Sequence, residues 1–478
     1  MDYETIIGLE VHAQLLTGSK MFCSCNANYT EAEPNSHVCP VCLGMPGVLP
    51  VINQKAVEYA MLSALALNCT VSEYTKFDRK NYNYPDLMKG YQISQYDFPI
   101  GKHGWLTIDI NGNRKQVNIT RVHLEEDVAK LHHEHHYSRV DVNRAGLPLM
   151  EIVSEPEISS PEEARDYLMK LHSILRYLGV STCNMEDGSF RCDANISIRP
   201  IGCKELMAKV EVKNMNSFKA VYQALEYESR RQRKAVKEGE PIFQETRGWL
   251  DEKGETVSQR SKECADDYRY FPEPDLPPLI IDKTWIAKIK EKLPELPEAR
   301  KNRFVAQYGL LLHDASVLTG SLKMADYFEE CVKLAGKERA KAATTWILGD
   351  LSRLLNASGT GIGDTKVRPE HIADIIKLTG KNTISGPAAK TIIEETFHTG
   401  KSVDDIINDK DLRQVNDISE IQDLIKQAIN DNPKAISDYR AGKEQALMFI
   451  TGQVVKATSG RANPVAVKEI LIEELGGK

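Results

Sequence analysis

A proline-dense stretch, Phe271-Pro-Glu-Pro-Asp-Leu-Pro-Pro-Leu279 followed by Leu293-Pro-Glu-Leu-Pro297, constrains this chain more than any other feature. Proline lacks a backbone N–H and has a fixed φ, so no regular helix or central strand is expected to run through such a segment. The textures on its two sides differ. Residues 1 to about 290 mix short strands, turns and a few helices without regular strand–helix alternation, which is an α+β pattern. Beyond the prolines, apolar residues recur at helical spacing. A chain of 478 residues exceeds what one hydrophobic core serves, so two to three domains are expected. The boundaries we read are 1–293, an α+β domain with a mixed or antiparallel sheet; 294–408, a small all-α domain; and 409–478, a helical tail.

Within the first part, strands are expected over Glu4–Ala13, Leu106–Ile110, Lys115–Leu124, Ala194–Arg199 and Lys209–Lys213, and helices over Gln54–Leu67, Ser160–Leu178 and Ser217–Lys237. The middle helix carries Ser160 as N-cap, Pro161 in its first turn and Gly179 just past its end. In the second part the expected helices are Glu298–Tyr308, Ser316–Leu334, Glu338–Leu355 and Glu370–Thr379. Those of the tail are Ile418–Asn430, Pro433–Ala441, Lys443–Thr458 and Pro464–Leu475. No repeat of solenoid period is present.

Five acidic segments of the first part share one layout: Glu10-Val-His12, Glu125-Glu126-Asp127, the run ending at Glu151, Arg191-Cys-Asp193-Ala-Asn195, and Glu211-Val-Lys213. Residues two apart in a strand point the same way, so each segment offers its polar side chains to one face. If those faces converge, they build an oxygen-rich cation site. Carboxylates with a single His suit Mg²⁺ or Mn²⁺ better than zinc, and magnesium implies phosphate chemistry. A lone Glu-x-His is a weak signal, and any one of these pairs alone reads as a wet strand face. Five converging without a neutralising cation would repel one another. Asn214-Met-Asn216, after the last of them, supplies amides suited to orienting a substrate.

Four of the ten cysteines cluster as Cys23-Ser-Cys25 and Cys39-Pro-Val-Cys42, separated by thirteen residues. The spacing fits a structural Cys₄ zinc knuckle, with His37 as an alternative ligand; a reduced, metal-free loop is the other reading. A closed Cys₄ site has no open position, so it implies stability and not catalysis. The remaining thiols are scattered, as in reducing compartments. His132-His-Glu-His-His136 reads as a solvated loop, and Gly359-Thr-Gly-Ile-Gly363 as a connector between helices. Gly400-Lys-Ser402 lacks the Walker glycine, since position 395 is Glu395.

The segment from Phe77 to Tyr96 mixes Lys80, Tyr82, Tyr84, Lys89, Tyr91 and Gln95 densely. It suits stacking on an unpaired RNA end, and equally a set of tyrosines packed under a sheet. In the tail, Gly442-Lys443 and Lys456-Ala-Thr-Ser-Gly-Arg461 admit either a phosphate contact or a capped helix turn. A net charge of -7 excludes a protein coated in basic surface without excluding a local basic groove. No apolar run reaches membrane-spanning length, and the N-terminal residues lack a secretory pattern, so a cytoplasmic protein with no membrane partner is expected.

These segments resemble the B subunit of tRNA-dependent amidotransferases, over essentially the whole chain. The matching strings are Ile7-Gly-Leu-Glu-Val-His12, Phe77-Asp-Arg-Lys-Asn-Tyr82, Gly90-Tyr-Gln-Ile-Ser-Gln95, Glu125-Glu-Asp127, Asp141-Val-Asn-Arg144, Pro148 to Pro156, Gly188 to Asn195 and Asp266-Asp-Tyr-Arg-Tyr-Phe-Pro-Glu-Pro274. The resemblance implies a cradle-shaped catalytic domain, a helical domain and a tRNA-contacting tail. It also implies ATP-dependent phosphorylation of the side-chain carboxylate of Glu-tRNA(Gln) or Asp-tRNA(Asn), then amidation by ammonia. That ammonia would come from glutamine hydrolysed in a partner amidase A subunit, with a small C subunit steadying the pair, and would reach the site by a polar passage near Glu125. On this basis Glu10, His12, Glu125, Asp193 and Glu211 are the candidate catalytic residues, and with Glu151 the candidate magnesium ligands. Lys80, Lys89, Arg191 and Lys213 are candidates for binding the phosphate of ATP or a carboxylate. The implied cofactors are ATP, Mg²⁺ and a structural Zn²⁺ on Cys23, Cys25, Cys39 and Cys42. Two rival functions stay open from the residues alone: a non-catalytic tRNA-binding scaffold, and a metal-dependent phosphohydrolase acting without tRNA.

Overall fold

The computed structural model describes residues 2–110, 112–261, 268–414, 418–440, 443–458, 462 and 464–475. Cys264, Asp266, Asp267, Ala441, Gly442 and the 459–461 end of the second tail motif lie outside them. The chain divides into two compact units, Met1–Leu296 and Pro297–Lys478.

The first unit is α+β and is built on one nine-stranded mixed sheet. In chain order its strands are β1 (Tyr3–Gln14), β2 (Thr70–Val71), β3 (Gly101–Ile110), β4 (Asn113–Glu126), β5 (Pro148–Ser154), β6 (Phe190–Pro200), β7 (Val210–Lys213), β8 (Glu245–Leu250) and β9 (Glu255–Ser261). Their order across the sheet is β9-β8-β7-β6-β1-β5-β4-β3-β2, antiparallel at every step except the parallel β7–β8 pair. The five expected strands are all present, and β4 runs two residues past the expected end, through Glu125 and Glu126.

Alternation along β1 decides what each face does. Ile7, Leu9, Val11 and Ala13 are buried in one apolar cluster with residues of three helices: α1 (Gln54–Ala66), α2 (Pro161–Tyr177) and α3 (Phe218–Glu238). The intervening Glu10 and His12 therefore occupy the opposite face. Helix α2 starts as read, with the Ser160 hydroxyl accepting from the Glu163 N–H and Pro161 in the first turn. Helix α3 is capped by Ser217 and ends at Gly239, whose φ of +76° a side chain would resist. At Gly104 of β3 an added Cβ would collide with Cys69 Sγ and lie 2.6 Å from Leu67 O, so only glycine lets this strand approach the end of α1.

The proline-dense stretch is more than a break. Phe271–Pro272 pairs as an edge strand with Asp78–Asn81, which pairs in turn with Tyr91–Ser94, and Lys283–Glu291 is a helix. An edge position needs no donor from one side, which is where proline is tolerated. The His-rich segment is likewise not a plain loop: Lys130–His133 and Ser138–Asp141 form a hairpin whose histidines are exposed.

The second unit is helical throughout its described residues and holds two separate apolar clusters, one centred on Phe304, Phe328, Ile372 and Ile392, the other on Ile425, Ile450 and Leu471. The helix read as Ser316–Leu334 is two, Leu312–Leu318 and Leu322–Ala335, because Thr319-Gly320 ends the first and the Ser321 side chain caps the second. The helix read as Glu338–Leu355 is segmented and contains a π-helical turn, Ile347–Leu351. Gly386–Thr399, with Ser385 as N-cap, and Val403–Asp409 are further helices that the apolar spacing did not suggest. Among the described residues no helix is long and apolar enough to cross a membrane.

Candidate functional site

Register aligns the acidic segments. His12 lies opposite Glu151 on one side and Arg191 on the other, while Glu10 faces Asp193, Glu151 faces His123, and Asn195 faces Glu211. Directly paired residues share a face, so one polar band crosses five adjacent strands, β4, β5, β1, β6 and β7. The face opposite the helices thus gathers residues from positions 10 to 213.

At one end of the band, His12, Glu125 and Glu151 can place one ligand atom each within 4.8 Å of the others. His12 Nε2 is 3.6 Å from Glu125 Oε1 and 3.5 Å from Glu151 Oε2. Both glutamates are buried, which would be unfavourable for two carboxylates without a cation beside them. Burial opposes a charge on the imidazole, yet Glu151, Glu125 and Asp193 outweigh it and raise the His12 pKa to about 9. Glu151 is held well below the usual carboxylate range: burial acts against ionisation, and His123 and His12 more than offset it. Two oxygens and an imidazole nitrogen leave positions open for water and phosphate, a donor set that fits a hard divalent ion.

His123 went unnoticed in the sequence. Its Nε2 is 3.2 Å from Glu151 Oε2 and it is 2% exposed. The signal was available, since His123-Leu-Glu125 repeats the layout of Glu10-Val-His12 in reverse order.

The other three proposed ligands, Glu10, Asp193 and Glu211, occupy the same face but are engaged differently. Asn195 donates to Glu10 Oε1 at 2.7 Å, Lys213 contacts Asp193 Oδ2 at 2.5 Å and Glu211 Oε1 at 3.3 Å, and the Thr246 hydroxyl donates to Glu211 at 2.8 Å. Among the described residues the compact carboxylate–histidine group is the His12 trio, while on the flank Lys213 neutralises Asp193 and Glu211 and Asn195 holds Glu10. Burial disfavours the Lys213 ammonium, but Asp193 and Glu211 raise its pKa.

Arg191 and Lys80 line a cavity of about 340 Å³ with His12, Glu125, Asp193 and Lys213. Arg191 donates to Asp127 at 2.9 Å, and Asp127 also accepts from Gln14 at 2.8 Å. Lys80 Nζ sits 4.9 Å from the centroid of the Tyr268 ring and 5.8 Å from that of Tyr82. Burial works against its charge and the carboxylates of Glu125 and Glu151 sustain it, raising its pKa. Tyr268 and Tyr270 join Tyr82 and Tyr96 in one aromatic group, in which Tyr96 and Tyr270 stack at 4.2 Å. Of the 77–96 tyrosines, Tyr82 thus lines the cavity, in ring contact with Tyr268 from a distant segment.

Lys89 is not in this cavity. Glu126, one residue past Glu125, points to the opposite side, where Lys89 Nζ and the Ile93 N–H bind its carboxylate. Lys89 lines a second pocket, with Glu126, Cys23, Cys42 and Gly146. Beside that pocket the thiols of Cys23, Cys25, Cys39 and Cys42 come within 4.8 Å of one another, and His37 is not part of the group. A hydrogen bond with Cys23 lowers the Cys42 pKa to about 5 against the effect of burial, helped by the Cys39 N–H at 3.1 Å and by Lys20. Four convergent sulfurs in this arrangement suit a tetrahedral soft-donor site.

Residues 5–287 match the family described as the GatB/GatE catalytic domain, and residues 326–475 match the GatB domain. The chain is similar to the B subunit of the aspartyl/glutamyl-tRNA(Asn/Gln) amidotransferase of Dehalococcoides mccartyi, 56% identical over 486 residues and 99% of each chain. The same subunit of Carboxydothermus hydrogenoformans is 54% identical over 479 residues, again 99% of each. That of Caldanaerobacter subterraneus subsp. tengcongensis is 52% identical over 476 residues, covering 99% of this chain and 100% of the relative. With both halves matched and more than half of the residues identical to relatives of the same length, the chain belongs to the family of B subunits of aspartyl/glutamyl-tRNA(Asn/Gln) amidotransferases.

Proposed function

We propose that this chain is the kinase and transamidase component of a tRNA-dependent amidotransferase, and that His12, Glu125 and Glu151 hold its catalytic magnesium. The observation that carries the reading is the convergence of these three side chains on the open face of the sheet, two of them, His12 and Glu125, lining a cavity together with Lys80, Arg191 and Lys213. A divalent ion there would offset the charge of ATP phosphates and orient the terminal phosphoryl group.

The protein's own residues have separable roles. A carboxylate resists ammonia until one oxygen becomes a leaving group, so the side chain of Glu or Asp on the tRNA must first take a phosphoryl group. Lys80, raised in pKa by Glu125 and Glu151, stays cationic and binds a phosphate oxygen. Lys213 and Arg191, already bonded to Asp193 and Asp127, present fixed positive charge to the substrate carboxylate. Glu10, Asp193 and Glu211 hold these cations and the site's water in place. The tyrosine group of Tyr82, Tyr268 and Tyr270, which reaches the cavity through Tyr82, stacks the unpaired 3′ end of the tRNA. Ammonia arrives neutral and sheltered, near Glu125, from glutamine hydrolysed in an amidase partner.

By the same reading residues 1–293 form a cradle, 294–408 a helical domain and 409–478 a tail that contacts tRNA; the four cysteines hold a structural zinc, and a small third component steadies the assembly. The deciding experiment combines the chain, its amidase and small partners, misacylated tRNA, ATP and Mg²⁺, with either glutamine or ammonium. Amidated tRNA on ammonium, lost on Glu125→Gln, supports the reading; turnover unaffected by Glu125→Gln, His12→Ala and Glu151→Gln overturns it.

A further inference from the structure

Lys20 is 0% exposed and ranks with the largest fully buried side chains of the molecule. A buried ammonium is strongly unfavourable unless an opposite charge faces it. Among the described residues no carboxylate pairs with it: its Nζ lies 3.8 Å from Cys42 Sγ and 3.3 Å from Val142 O. Glu126, which lines the neighbouring pocket, is taken by Lys89 and the Ile93 N–H. Among the described residues the only group bonded to Lys20 Nζ that can hold a full negative charge is the Cys42 sulfur.

The sulfur cluster has the complementary problem. Four thiolates around a divalent ion sum to two negative charges, in a site where Cys42 is 6% exposed. One buried ammonium against one of the four sulfurs halves that excess. The backbone fixes the pairing, because Lys20 N–H donates to Cys25 O at 3.0 Å and Met21 N–H donates to Gly146 O at 2.7 Å, tying this turn to the cluster and to the 142–147 segment.

We propose that Lys20 is the built-in counter-cation of the four-cysteine metal site, and that it sets how tightly the site holds a divalent soft metal such as zinc. The proposal rests on the reading of Cys23, Cys25, Cys39 and Cys42 as a metal site. Lys20 is a positioning and charge-balancing residue and not a ligand.

The test uses the full chain as wild type, Lys20→Met and Lys20→Arg, each in zinc-loaded and zinc-stripped form. Competition with a chromophoric chelator at fixed pH and ionic strength should show zinc bound at least tenfold more weakly by Lys20→Met, with Lys20→Arg recovering part of the loss. Thermal melts separate charge balance from packing. Without metal, Lys20→Met should melt at or above wild type, because a buried charge has been removed; with zinc it should melt below. Equal zinc affinity, or the same loss of Tm in both forms, overturns the proposal. If Lys20→Met fails to fold, the rate at which the chelator strips zinc from Lys20→Arg decides, a wild-type rate being the overturning result. A wild-type chain that takes up no zinc by elemental analysis ends the metal reading itself and this proposal with it, an outcome distinct from the other two.

Discussion

His12 and Glu151 face each other across the β1–β5 ladder, with Nε2 3.5 Å from Oε2, although 139 positions separate them in the chain (151 − 12). The acidic pocket is therefore a product of strand pairing, and its ligands are as well placed as the ladder is regular. Replacing His12 with Ala, or Glu151 with Gln, should lower ATP-dependent phosphorylation of Glu-tRNA by at least about a hundredfold. Filter binding should find the tRNA Kd little changed in both variants.

His123 supports Glu151 from the next strand, at 3.2 Å. Partners of metal-binding groups orient them, and their loss typically weakens metal affinity by about ten- to a hundredfold. His123→Ala should raise the Mg²⁺ concentration for half-maximal activity by that order, with recovery of rate at high Mg²⁺. A Mg²⁺ titration of initial rates checks this.

Lys80 and Lys89 look equivalent in the sequence and lie on opposite sides of β4. Lys80→Met should impair phosphorylation through a raised KM for ATP. Lys89→Met should leave that KM at the wild-type value and lower Tm, because Glu126, 5% exposed, loses its ion-pair partner. Steady-state kinetics and calorimetry on the two variants test the assignment.

In the helical unit, Glu329 accepts from Arg300 and Arg303 at 2.5 to 2.9 Å. Burial favours its neutral form, but the two guanidiniums prevail and hold its pKa below the usual value. A depressed folded-state pKa gives stability that is complete above the ordinary glutamate value of about 4.3 and disappears as pH falls through the folded value. Glu329→Gln should therefore reduce stability by about 1–2 kcal/mol at pH 7, a gap that narrows at pH 3. Denaturant titrations at the two pH values measure it.

At the close approach of β3 to the end of α1, Gly104→Ala forces a methyl against the Leu67 carbonyl. Overpacking of this kind typically destabilises by about 1–3 kcal/mol. A drop in Tm with unchanged KM for ATP in the surviving folded fraction is the expected result.

The period-two spacing of Glu10-Val-His12 and Asp193-Ala-Asn195 made the polar face legible, because a strand's alternation is local. Which strands are neighbours is not local: β6 and β5 flank β1 although β5 comes from residues 148–154 and β6 from 190–200. So the sequence could nominate five acids and a histidine without separating the His12 trio from Asp193 and Glu211, which Lys213 holds. The side to which Lys89 turns was hidden for a related reason, since Glu125 and Glu126 carry the same chemistry and only the β4 register tells them apart. The break at Thr319-Gly320 and the helix after Ser385 escaped because apolar spacing continues across the first and is thin in the second, while the capping serines that mark both are common elsewhere. The tyrosine group was half visible, its other half arriving from beyond residue 267.

Because Ile7, Leu9, Val11 and Ala13 of β1 fill the apolar interior while Glu10 and His12 lie on the polar face, both depend on one reading frame. Inserting or deleting one residue there would turn His12 inward among apolar side chains and deliver Val11 to the polar face, disrupting the acidic band and the core together. Evolution can exchange side chains in this strand, but it cannot change its length by one.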